Sequence, residues 1–98
     1  MVEYQIRYLP EFWENYEQVL TSLYAFYDVD YIESFETELL YRKIPSLMTF
    51  PNGNPKYFPG EDYRRIVFRK HIIFYTVDET SKIVFVELIK NGIMDFKL

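Results

Sequence analysis

The chain has 98 residues, one histidine, no cysteine and a formal net charge of −4, a length sufficient for a single core. Without thiols there is no disulfide framework or thiolate metal site, and a lone histidine excludes the usual multi-histidine zinc site. No apolar stretch approaches the roughly 20 residues of a membrane-spanning helix, and the N-terminal MVEYQIRYLPE lacks a signal-peptide pattern, so no membrane association is expected and a reducing cytoplasm is the expected compartment.

Val2, Tyr4, Ile6 and Tyr8 alternate with Glu3, Gln5 and Arg7, the period of two of a strand with one buried face. Pro10 suits the first turn of a helix. Glu11 and Glu14 follow where a helix dipole favours negative charge. Phe12, Trp13, Tyr16, Val19, Leu20, Leu23, Tyr24 and Tyr27 recur at helical spacing, which predicts an amphipathic helix from Glu11 to about Tyr27. Asp28-Val29-Asp30 is a break, and Asp30 with Glu33 has the spacing of a capping box. A second helix is expected from Tyr31 to about Ile44, burying Ile32, Phe35, Leu39 and Leu40. Pro45 should end or kink it, with Leu47, Met48 and Phe50 continuing the apolar stripe. So short a connection predicts an antiparallel helical hairpin.

Residues 51–62 hold three of the five prolines and two of the three glycines, the composition of a loop. Beyond it, YRRIVFRKHIIFYTVDETSKIVFVELI contains three apolar runs separated by Arg69-Lys70-His71 and by Asp78 to Lys82. This is the pattern of an antiparallel meander. In its first strand Arg64, Ile66 and Phe68 share one face and Tyr63, Arg65 and Val67 the other. The runs Ile72–Val77 and Ile83–Ile89 should be central strands covered on both faces, and Gly92 should end the last one. The order β-α-α-β-β-β gives a single α+β domain over residues 1–98, with an antiparallel or mixed four-stranded sheet and the helical hairpin on one face.

Charge divides along the chain. Residues 1–62 carry four basic and eleven acidic side chains, or −7; residues 63–98 carry seven basic and four acidic, or +3. A basic sheet beside acidic helices suits an anionic partner, although basic residues also guard strand edges and turns against aggregation. Arg64, Arg65, Arg69 and Lys70 interleave with Tyr63, Phe68 and Tyr75, a mixture that can hold phosphate and stack bases or dock an acidic peptide. His71, of the side-chain type that titrates near neutral pH, is either an exposed turn residue or a general base. The carboxylate pairs Asp28 with Asp30 and Glu61 with Asp62 sit at breaks, where caps and solvated loop ends are the rule. Neither a phosphate-binding Gly-rich loop nor a Gly-x-Ser-x-Gly elbow is present, so no cofactor is expected.

The order of elements, together with Phe50-Pro51-x-Gly53, Tyr63-Arg64, Ile73-Phe74-Tyr75-x-Val77-Asp78 and Val84-Phe85-Val86, resembles the RelE/ParE superfamily of bacterial toxins over nearly the whole chain. The resemblance implies the toxin of a toxin–antitoxin module, held by a cognate antitoxin. Homodimers and toxin–antitoxin heterotetramers are the assemblies to expect. RelE-like members cut messenger RNA on the ribosome without metal; ParE-like members bind DNA gyrase. Where the nucleases tend to place an arginine this chain has Ile72, and after the last strand it has Asn91, Gly92 and Phe96 in place of an arginine and a proton donor. Isoleucine cannot stabilise a phosphorane-like charge, and phenylalanine cannot transfer a proton. The expectation is therefore a non-enzymatic, ParE-like binder of a gyrase-like protein target. Its antitoxin or target contacts would be Arg64, Arg65, Arg69, Lys70 and Lys90. The alternatives are a ribosome-dependent nuclease with Arg64, Arg69 and His71 as a rearranged site, and a divergent interaction module without toxicity.

Overall fold

The computed structural model describes residues 3–56 and 62–91. Its elements are β1 (Gln5–Tyr8), α1 (Pro10–Tyr24), α2 (Val29–Glu38), a π-helical turn at Leu39–Lys43, a 3-10 turn at Pro45–Met48, β2 (Arg64–Phe68), β3 (His71–Asp78) and β4 (Ile83–Asn91). The fold is α+β, and the sheet is mixed. Its order is β1-β4-β3-β2, with β1 parallel to β4 and the other pairs antiparallel. The two most apolar runs are therefore the central strands, as the sequence predicts. Both faces of β3 are buried: Ile73 and Tyr75 lie in the helix-side core, whereas Ile72 and Phe74 are buried outside that cluster. Cover on β4 is less complete, since Phe85 and Leu88 remain half-buried.

α1 has no side-chain cap and relies on Pro10 to set its first turn. It buries Phe12, Tyr16 and Leu23. It ends at Tyr24, earlier than the sequence periodicity suggests, because the apolar positions beyond Leu23 have no core to meet. Tyr24, Phe26 and Tyr27 are exposed. The second helix starts earlier than expected. Asp28, not Asp30, is its cap, since the Asp28 carboxylate accepts the Tyr31 amide at 2.9 Å. Asp30 instead sits in the first turn, where it complements the helix dipole. Phe35 is the anchor of α2. It is fully buried, edge-on to Phe68 at 5.2 Å and to His71 at 5.4 Å.

The expected end of the second helix near Pro45 is more structured than a kink. The Ile44 amide bonds the Leu39 carbonyl at 2.9 Å, five residues back. One extra residue in this turn lets Leu39, Ile44 and Leu47 all reach zero exposure. Phe50 does not continue the stripe; it is 71 % exposed, because the chain has already left the helix and turned into the loop. The Gly92 strand end and the segment 93–98 lie outside the described residues.

One irregularity shapes the sheet. The β3–β4 register shifts between Phe74, opposite Leu88, and Tyr75, opposite Val86, which leaves Glu87 as an extra residue. Its carboxylate accepts a 2.7 Å hydrogen bond from the Thr76 hydroxyl. The bulge keeps Val86 and Ile89 on the helix side although they are three residues apart.

Candidate functional site

Phe68 and His71 are paired, so only Arg69 and Lys70 form the β2–β3 turn. Both have positive φ, 45° and 66°, the geometry of a type I′ hairpin, whose twist suits the flanking strands. No glycine or asparagine marks this turn. The sequence therefore reads as a three-residue break, and the structure corrects it to two.

That correction moves His71. It is not an exposed turn residue: it opens β3 and is 7 % exposed. Strand alternation puts its ring on the side of Ile73 and Tyr75, against Phe35. Its Nδ1 lies 2.9 Å from the Arg69 carbonyl. A carbonyl only accepts, so Nδ1 carries the proton and Nε2 is left as the other ring nitrogen. His71 also lines a cleft of about 440 Å³ with Asn15, Gln18 and Ser22 of α1 and Lys90 and Asn91 of β4.

Arg69 folds back over α2. Its guanidinium donates to the Ser34 hydroxyl at 3.1 Å, lies 3.8 Å from the Glu38 carboxylate, and stacks over Tyr31 and Phe68 at 5.3 Å each. It ties the hairpin turn to the helix as well as supplying charge. Lys70, by contrast, is exposed. Lys90 is exposed as well and stands opposite Ile72, in a cross-strand row with Val67. Lys70, His71 and Lys90 thus come to one end of the sheet.

Arg64 belongs to the other end. Four residues separate it from Phe68, roughly 13 Å along a strand. Its guanidinium donates to the Asn54 carbonyl at 2.6 Å. Opposite it, Tyr75 is fully buried; its hydroxyl donates to the Pro51 carbonyl at 2.6 Å and accepts from the Asn54 side chain at 3.2 Å. Burial holds the Tyr75 hydroxyl above its ordinary pKa, against the opposing pull of the Asn54 bond and the Arg64 charge. These contacts make Arg64 a clamp on the loop after Pro51. Arg65 points to the opposite sheet face, across from Phe74, and its amide bonds the Pro55 carbonyl at 3.2 Å. Arg64, Arg69 and His71 are therefore not converged on one open surface.

A second polar cluster lies at the opposite turn, and sequence patterning missed it. The Glu79 carboxylate accepts from the Tyr4 hydroxyl at 2.7 Å, from the Asn52 amide at 2.9 Å and from Lys82 at 3.3 Å. The Asn52 and Tyr4 bonds hold its pKa below the usual range. Glu79 borders a cleft of about 600 Å³ with Asn52, Lys56, Asp62, Arg64 and Asp78. The only sequence signal was Asp78, whose carboxylate accepts the Thr80 and Ser81 amides as a turn-former does. Tyr4 and Asn52 come from distant segments. Among the described residues no group of three or more His, Asp or Glu side chains is placed to hold a metal ion, and no helix is long and apolar enough to cross a membrane. No family model and no curated protein matches the sequence.

Proposed function

We propose that this protein is a ParE-like toxin of the RelE/ParE superfamily, acting by binding a protein target such as DNA gyrase and neutralised by a cognate antitoxin. The observation that carries the reading is the character of the basic sheet end. Lys70 and Lys90 are exposed there, while the one histidine is sequestered under Phe35 and hydrogen-bonded to a backbone carbonyl. Exposed cations over a packed base form a charged docking surface better than an acid–base site. An acidic, amphipathic antitoxin segment would lie across Lys70 and Lys90, with Arg65 and Arg69 at its margins. Action on gyrase would place the protein in the cytoplasm.

The test is induction of the chain in bacterial cells, with and without the product of the neighbouring reading frame. DNA supercoiling and transcript integrity are followed in parallel. Growth arrest with altered supercoiling and intact transcripts is expected. Absence of arrest would overturn the toxin reading in favour of a non-toxic interaction module.

The ribosome-dependent nuclease is kept as a second reading because His71 borders a cleft beside Lys90 and Asn91. In that reading Arg64, Arg69 and His71 would act on messenger RNA, with Arg64 reaching the site only after release from Asn54. Primer extension showing cleavage at codon boundaries, lost in His71→Gln, would establish it.

A further inference from the structure

We infer that the α1–α2 tip is a docking surface for a Lys/Arg-rich amphipathic segment of a partner protein. This does not rest on the toxin reading, and it concerns the face opposite in charge to the one used there. Four large apolar side chains are exposed within six consecutive residues: Tyr24 at 57 %, Phe26 at 83 %, Tyr27 at 47 % and Val29 at 61 %. Tyr27 is held by a stack on Tyr31 with ring centroids 4.0 Å apart, so part of this patch is pre-ordered. Contiguous exposed aromatic surface marks a contact site, because it costs solvation free energy when left in water.

Charge identifies the occupant. Residues 10–41 contain eight Asp and Glu and no Lys, Arg or His. Asp28, Asp30 and Glu33 ring the aromatic patch, and all three are exposed. Arg69, whose guanidinium lies over the Tyr31 ring, is already engaged with Ser34 and Glu38 on α2. An apolar centre with an anionic rim fits a segment that alternates apolar anchors with lysine or arginine. A second copy fits poorly. Tip-to-tip contact of two copies brings like charges together.

The experiment uses the full chain, isotope-labelled, titrated with a synthetic amphipathic Lys/Leu helical peptide and separately with its Glu/Leu counterpart. The expected result is amide shift changes confined to residues 24–33 with the Lys/Leu peptide only, weakening as salt rises from about 0.05 to about 0.3 M. Phe26→Ser should lower the affinity about tenfold or more, as for an aromatic anchor. The double variant Asp30→Asn/Glu33→Gln should lower it severalfold and flatten the salt dependence. Neither touches the core or the Asp28 cap, and unchanged spectra elsewhere report intact folding. Equal binding of both peptides, a footprint elsewhere, no binding, or wild-type affinity in both variants would overturn the inference. So would concentration-dependent self-association in sedimentation that Phe26→Ser abolishes, since a second copy would then be the occupant.

Discussion

Individual side chains here serve mostly to fasten distant segments. Tyr75 is the clearest case. Its ring is in the core and its hydroxyl satisfies the carbonyl of Pro51, itself buried, and the Asn54 amide. Tyr75→Phe keeps the ring and strands that carbonyl. It should therefore cost about 1–3 kcal/mol, the desolvation penalty of an unpaired buried group, read as a lowered midpoint of urea unfolding with an unchanged slope. Arg64, read from sequence as a candidate contact, shares this fastening role, and only its bond to Asn54 reveals it. Ile72 illustrates the reverse. Its apolar character was legible directly, and its 1 % exposure in the sheet centre agrees with that character.

At the scale of elements, both meander turns hold lysine at positive φ, Lys70 in the first and Lys82 in the second, but they are fastened differently. The Arg69-Lys70 turn needs positive φ at both positions and has no residue suited to it. Lys70→Gly should stabilise the protein by about 1 kcal/mol, the usual penalty of a non-glycine residue in the left-handed region. The check is a rise in thermal midpoint of roughly 4–8 °C. Arg69 is the poorer position for this change, because its side chain is what ties the turn to α2. The turn from Asp78 to Lys82 is held by charge. Amides of Ser81 and Thr80 hold the Asp78 pKa below its ordinary 3.8, and side-chain bonds from Asn52 and Tyr4 hold Glu79 below 4.5. Both groups are depressed in the folded state, so their contribution is complete above these values. It is lost as pH falls through the lower folded-state pKa. Lys82 is displaced upward from 10.5, chiefly by its bond to Glu79, so its contribution is lost only as pH rises through that higher value. An NMR titration should show the Glu79 carboxyl protonating below pH 4.5, and Asn52→Ala should move that step upward. An unshifted titration in the variant would remove Asn52 as the cause.

For the whole molecule, the separation of charge matters most. Eight carboxylates lie on one helical stretch and the exposed Lys70 and Lys90 at the β2–β3 turn end of the sheet beside it, so the two surfaces suit partners of opposite sign. On the proposed toxin reading, Lys70→Glu/Lys90→Glu should weaken binding of an antitoxin encoded by the neighbouring gene about tenfold or more, measured calorimetrically. Lys70→Gly alone should raise stability while, on the same reading, lowering antitoxin affinity, which separates the turn's conformational role from its charge. The sequence by itself determined the element order, the central position of the two most apolar strands and the division of charge. Each of these follows from local periodicity or composition. Only the tertiary structure decided that β1 lies parallel beside β4, that the Arg69-Lys70 turn is two residues long, that His71 is buried and that Tyr4, Asn52 and Glu79 meet. These depend on contacts between residues far apart in the chain, and no local pattern encodes which distant partner a side chain will find.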